Sequence, residues 1–187
     1  EIIRALGKAG IPTPGADQLS VSNHIGGRDL LALGDVLLDP AEDLQLAAVL
    51  RSPLFDVSEE DLLAIAHDRQ GSLWQALERS GLESARNAFA RLRQWRSALD
   101  FERPYEFYAR VLYAEGGLER LHRRLGPETD DVMAEFLALA LAHEQNRQPG
   151  LQGFIAAMRQ RHISIRRELP ERGAGVRVMT VHGAKGL

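Results

Sequence analysis

The stretch V-R-V-M-T-V-H-G-A-K-G-L, residues 176–187, combines a strand pattern with a polar, glycine-rich turn. Its first six residues alternate between two faces, with Val176, Val178 and Thr180 on the same side of a predicted strand. A hydroxyl, an imidazole and an ammonium group then stand beside glycines at the end of that strand. The polar and glycine residues of this turn are Thr180, His182, Gly183, Lys185 and Gly186. Such a turn can bring backbone N–H groups and a cation up to a phosphate.

An alternative interpretation of this stretch stays open, in which a glycine-punctuated strand and loop simply end a domain. The stretch is not a P-loop, because the spacing G-x-x-x-x-G-K-S/T is absent and Leu187 stands where a hydroxyl would be required. The residues alone therefore indicate a possible phosphate contact, without identifying its partner.

The terminal stretch resembles the motif T-x-H-x-A-K-G-L-E in the second motor domain of UvrD/Rep-type superfamily I DNA helicases. The resemblance implies that Thr180 and His182 contact single-stranded DNA, with Gly183, Lys185 and Gly186 in the same turn. The glutamate of the motif would follow Leu187, where this sequence stops. We therefore expect the chain to be a piece of a larger motor protein.

A second block of sequence strengthens this resemblance. The segments IIRALGKAGIP (residues 2–12) and DLLALGDVLLDPAEDLQLAAVLRSPLF (29–55) are similar to the passage where the helicase chain leaves its second motor domain. In that family an inserted domain, called 2B, begins at this point. The sequences of residues 50–55 and 58–66 are closer to those of AddA, a helicase–nuclease subunit, than to those of UvrD. UvrD-like chains carry a Gly-Ile-Gly turn associated with duplex binding, whereas this sequence has Phe-Asp-Val-Ser at 55–58.

The resemblance also predicts the domain organisation. Residues 1–25 would be the tail of motor domain 2A, residues 26–170 a helical 2B-like accessory domain, and residues 171–187 a linker and returning 2A strand. Because the accessory domain is an insertion, we expect Leu19–Val21 and Val178–Val181 to lie close together.

The apolar spacing predicts a mainly α fold, an irregular domain of eight to ten helices with two short strands near the termini. Gly26-Gly27 is expected to break the chain, with Asp29 starting the first helix of this domain. Ser58 and Ser72 are predicted N-caps of later helices.

The helix predicted over residues 82–99 carries the second candidate site. Its buried stripe contains Ala85, Ala88, Phe89, Leu92, Trp95 and Leu99. Arg86, Arg93 and Arg96 lie together beside that stripe and are candidates for contact with DNA phosphates. The alternative is a solvated surface whose arginines pair with local acids. Trp74 and Trp95 can stack on bases in principle, but their positions in apolar stripes favour core packing.

Composition limits the possible functions of the 187-residue chain. The net charge of −3 and the pI near 6.1 exclude a global basic field, so any DNA contact must come from a local patch. No cysteine is present, which excludes disulfides and thiolate metal ligands. No apolar run approaches the ~18 residues of a membrane span, and we expect a cytoplasmic protein with no membrane partner.

The sequence contains no recognisable catalytic, cofactor-binding or metal site, and ATP and magnesium are expected to act in the parent protein. The function implied by the resemblance is the accessory 2B region of an ATP-dependent DNA helicase–nuclease subunit in double-strand-break repair and recombination. Expected partners are single-stranded DNA and duplex junctions, the motor domains of the same chain, and a nuclease subunit. Two alternatives stay open: a protein-interaction and gating module, favoured by acidic residues across 35–68, and a free-standing helical regulator.

Overall fold

The computed structural model describes residues 19–21, 23–145, 150–160 and 164–165 of the chain. Within these ranges, nine α-helices and two short strands are found. The helices are α1 (Ile25–Leu38), α2 (Asp43–Arg51), α3 (Glu59–Ala66), α4 (Leu73–Arg79), α5 (Glu83–Ala98), α6 (Pro104–Ala109), α7 (Gly117–Leu125), α8 (Glu128–Glu144) and α9 (Leu151–Gln160). A π-helical turn, Arg110–Ala114, follows α6 directly. The mainly α fold predicted from the sequence is confirmed.

The two strands are β1 (Leu19–Ser20) and β2 (Ser164–Ile165), and they form a two-stranded sheet. The first strand lies within Leu19–Val21, near the N-terminus, where one of the two short strands was expected. The second predicted strand, at 176–181, lies outside the described residues, and so does the predicted proximity of Val178–Val181 to Leu19–Val21. The helices all belong to one compact unit that spans Ser20–Ile163.

Helix α1 is the centre of this unit, because α2, α5, α7, α8 and α9 all pack against it. Its sequence is apolar around most of its circumference, as expected for a helix that is buried on most sides. Leu30, Leu33 and Val36 are completely buried. From the C-terminal half of the chain, Tyr108 reaches α1, where its hydroxyl donates a hydrogen bond of 3.0 Å to the Leu30 carbonyl.

The expectation that Gly26-Gly27 breaks the chain is wrong, because both glycines lie inside the first turn of α1. The Nδ1 atom of His24 accepts a hydrogen bond from the Gly26 N–H at 3.2 Å and so caps the helix. A Cβ atom at Gly27 would overlap the carbonyl oxygen of Val21. The glycine therefore permits a close approach of two backbone segments, which sequence spacing does not reveal.

The two serine caps are confirmed. The Ser58 hydroxyl accepts a hydrogen bond from the Asp61 N–H at 3.0 Å, and the Ser72 hydroxyl accepts one from the Gln75 N–H at 3.3 Å. Each bond satisfies a backbone donor that the first helical turn leaves without an intrahelical partner.

Candidate nucleic-acid interface

Helix α5 has the buried stripe that its sequence predicts, with Ala85, Ala88, Leu92 and Trp95 all buried. The indole N–H of Trp95 donates a hydrogen bond of 2.9 Å to Oε2 of Glu115, and the ring meets Phe107 edge-on at 6.2 Å. Trp95 is therefore a core residue and is not available to stack on bases.

Trp74 of α4 is half-buried. Its ring lies edge-on to Phe89 of α5, with 5.3 Å between the ring centres. This contact favours the packing role expected of Trp74, and Phe89 joins the stripe at its margin.

The three candidate arginines of α5 are all exposed, but the structure divides them into two kinds. Arg86 and Arg93 are seven residues apart, which places them on one side of the helix about 10 Å apart along its axis. Within the described part of the chain, neither side chain makes a hydrogen bond or an ion pair. The local acids that the alternative interpretation required do not neutralise them there.

Arg96 differs, because its Nε–H donates a hydrogen bond of 3.2 Å to the carbonyl of Leu37. Leu37 lies in the last turn of α1, where carbonyl groups lack an intrahelical donor. The guanidinium of Arg96 thus joins α5 to the end of α1. Whether any of the three arginines contacts DNA stays a prediction.

Two further arginines, Arg91 and Arg120, are less exposed than the three candidates. Arg91 lies on α5 and Arg120 in the first turn of α7, and both are half-buried. In sequence they are separated by 29 positions and resemble several other helical arginines.

The residues of the terminal motif lie outside the described part of the chain. These residues are Thr180, His182, Gly183, Lys185 and Gly186. Their expected contacts with single-stranded DNA stay predictions.

An acidic groove of about 540 Å³ lies between the end of α1 and α9. Asp35, Asp39 and Glu42 contribute carboxylates to it, and Arg159 of α9 forms an ion pair with Asp35. Burial raises the pKa of Asp35, an effect that the charge of Arg159 partly offsets. The groove therefore presents a negative surface, which would repel a phosphate backbone.

The described residues form neither a metal site nor a membrane span. No group of three or more His, Cys, Asp or Glu side chains among them has an arrangement that could hold a metal ion. None of the helices in the same ranges combines the length and apolar character needed to cross a membrane.

No protein-family model matches this sequence. Curated relatives nevertheless match most of it, and three of them share a name that describes a subunit of an ATP-dependent helicase/nuclease. The protein of Thermoanaerobacter sp. (strain X514) is 24% identical over 199 residues, covering 99% of this chain and 16% of the relative. That of Geobacillus thermodenitrificans is 29% identical over 189 residues, covering 84% and 14% respectively. That of Lactobacillus acidophilus is 28% identical over 166 residues, covering 81% and 14%.

The resemblance to helicase–nuclease subunits of the AddA type is therefore confirmed over most of the chain. The chain spans only 14–16% of the length of these relatives, so it is similar to one segment of each.

Proposed function

We propose that this chain is the accessory helical region, 2B, of an ATP-dependent DNA helicase/nuclease subunit that acts in double-strand-break repair and recombination. The observation that carries the proposal is the similarity of 81–99% of the chain to proteins named as ATP-dependent helicase/nuclease subunits. The mainly helical fold is consistent with an accessory region. The domain limits follow the resemblance: motor-domain tail at 1–25, accessory domain at 26–170, returning strand at 171–187.

In this proposal the chemistry belongs to the parent protein, which hydrolyses ATP with magnesium while it moves along DNA. The sequence contains no Walker A spacing, so the chain itself neither binds nor hydrolyses ATP. Thr180 and His182 contact single-stranded DNA, and Lys185 and its flanking glycines belong to the same turn. The parent acts in the cytoplasm, and its protein partners are its own motor domains and a nuclease subunit.

The exposed face of α5 is the proposed duplex contact. Arg86 and Arg93 have side chains in solvent and no acid among the described residues to neutralise them. A guanidinium group without a protein partner can replace counterions on phosphates, and this gives a salt-dependent affinity. Arg96 adds charge to the same helix, although its Nε–H is held by Leu37.

The test is fluorescence anisotropy of the chain with duplex, tailed-duplex and single-stranded DNA at low and moderate salt. We expect salt-sensitive binding that falls when Arg86 and Arg93 are both replaced by Ala, and further when Arg96→Ala is added. The matched control is Arg69→Gln, because the Arg69 guanidinium is already held by Asp43 at 2.7 Å. Duplex affinity that is equal in all variants would contradict the proposed role of α5.

The acidic groove supports a second candidate function, a protein-interaction and gating module with little direct DNA contact. Asp39 and Glu42 are exposed at the groove and disfavour phosphate there. The same anisotropy experiment separates the two candidates. A chain that binds none of the three DNA forms at low salt would favour contact with a partner nuclease subunit or with the motor domains.

A further inference from the structure

The exposed face of α5 consists of three parallel rows of residues. Residues seven positions apart nearly coincide around an α-helix, because seven residues complete almost two turns. All members of the three rows are exposed, and the middle row lies opposite the buried stripe of the helix. In order around the helix, the rows are Arg86 with Arg93, Ala90 with Ser97, and Asn87 with Gln94.

The charge of this face is of one sign. The sequence has no acidic residue between Glu83 and Asp100, so the rows at 86–97 run for roughly 16 Å along the helix without a carboxylate of their own helix. The two arginines of the first row form no ion pair with any described residue. The face is therefore complementary to a negatively charged partner, and a nucleic acid provides such a charge along a comparable length.

The middle row is short and holds no free hydrogen-bond donor. Ala90 ends in a methyl group, and the Ser97 hydroxyl donates a hydrogen bond of 2.8 Å to the carbonyl of Gln94 in its own helix. No long side chain in this row would hold a partner away from the helix. A partner can therefore lie against the middle row while the arginine and amide rows flank it.

The third row consists of primary amides that the described part of the fold does not use. The side chains of Asn87 and Gln94 are in solvent and form no hydrogen bond with any described residue. Asn is a poor helix former, and position 87 lies inside the helix, away from the N-cap at Leu82. Packing and capping therefore leave this row unexplained, although each amide has two N–H donors and an acceptor to offer a ligand.

We propose that α5 lies along the major groove of duplex DNA, with its arginine row on the phosphates of one strand and its amide row on the backbone of the other strand. The inference rests on the proposed function and adds the second strand to it. The major groove is about 12 Å wide and admits an α-helix. The two outer rows differ in direction by about 100°, so they face opposite walls of such a groove. Amide contacts with phosphate and sugar oxygens position a duplex without reading its sequence.

The experiment is fluorescence anisotropy with a blunt duplex of mixed sequence and with a single strand of the same length, over a series of salt concentrations. It compares the unmodified chain with the double variants Asn87→Ala, Gln94→Ala and Arg86→Ala, Arg93→Ala. The matched control is the double variant Gln75→Ala, Gln152→Ala, because both of these amides are exposed on other helices, α4 and α9.

The loss of two neutral hydrogen bonds predicts a duplex affinity about fivefold to tenfold weaker for the Asn87→Ala, Gln94→Ala variant. Its salt slope should equal that of the unmodified chain, because a neutral amide releases no counterions, whereas the arginine variant should have a shallower slope. Its affinity for the single strand should stay within about twofold, and so should both affinities of the glutamine control. Its midpoint of chemical denaturation should be no lower, because Ala is the better helix former.

Duplex affinity that falls in the arginine variant but not in the amide variant would overturn the second row and leave the proposed function intact. An equal loss on duplex and single strand in the amide variant would overturn the two-strand arrangement, because one strand would then suffice for the contact. Duplex affinity that is unchanged in both variants would contradict the proposed role of α5 itself, and the inference would fall with it.

Discussion

The arginines around α2 and α3 form ion pairs with carboxylates, whereas several arginines on α5 and α7 do not. Arg51 meets Glu59 at 3.2 Å, and Arg69 meets Asp43 at 2.7 Å. On α5, Arg86 and Arg93 make no such pair with any described residue, and on α7 Arg120 keeps two buried donors without a partner there. A chain of net charge −3 therefore still carries exposed guanidinium groups that form no ion pair with any described acid.

The contrast also holds between near neighbours. Arg110, in the π-turn before α7, has a bidentate partner in Glu102, with Nε and Nη2 donating at 2.9 and 2.7 Å, and a second partner in Glu115. Those carboxylates raise the pKa of Arg110, with the Glu102 hydrogen bond first among the causes. Arg110 is therefore a structural residue, whereas Arg120 has donors that the described part of the fold does not use.

The largest expected effect on stability concerns Arg110, the arginine whose guanidinium is held by two carboxylates. Arg110→Ala should lower the free energy of unfolding by about 2–3 kcal/mol, because it leaves two half-buried carboxylates without their cation. Chemical denaturation measures the loss. The control is Arg123→Ala, which breaks an exposed pair with Glu119 and should cost about 0.5 kcal/mol or less. Equal losses in the two variants would contradict the view that the Arg110 ion pairs stabilise the fold more than the exposed Arg123–Glu119 pair does.

The next effect in size comes from Asp29, a partly buried carboxylate of α1. One oxygen of Asp29, Oδ2, is buried without a hydrogen-bond partner in the described ranges, and burial raises the pKa of Asp29 to about 6 despite Arg28 and Arg124. The folded state thus holds the proton more tightly than the unfolded state does. Stability from this group is complete below pH ~4 and declines as the pH rises through about 6.

Asp29→Asn should therefore stabilise the protein above pH ~6 and change little below pH ~4. Because the carboxyl is partly open to solvent, we expect a gain of about 1–2 kcal/mol at pH ~8. Urea denaturation across this pH range measures it. A difference between variant and unmodified chain that does not change with pH would contradict the assignment.

The smallest expected effect is on stability at the exposed face of α5. Replacing Arg86 and Arg93 by Ala should change the free energy of unfolding by about 0.5 kcal/mol or less, because neither side chain is buried. Thermal denaturation checks this. A larger loss would show that these arginines serve the fold, and would remove the reason for assigning them to DNA.

Local features of the fold were predictable from the sequence. The hydroxyls of Ser58 and Ser72 each accept a hydrogen bond from the N–H three residues further along the chain. The buried stripe that contains Leu92 and Trp95 follows helical periodicity. Both depend only on neighbours along the chain. The helix start at Ile25 was missed because Gly27 is required by contact with Val21, a constraint of packing.

The candidate site depends more on distant partners. Exposure of Arg86 and Arg93 was readable from their place beside the stripe, but the bond between Arg96 and Leu37 joins residues 59 apart in sequence. Sequence spacing places an arginine on a face, but only the fold determines which acids and carbonyls it can reach.

The most direct test of the central claim is the salt dependence of tailed-duplex affinity, measured by anisotropy for the unmodified chain and for the Arg86→Ala, Arg93→Ala double variant. If both arginines contact phosphates, affinity falls with added salt, and the slope of log affinity against log salt becomes shallower by about two in the double variant. Equal slopes for the two proteins would contradict the claim that α5 presents its free arginines to DNA.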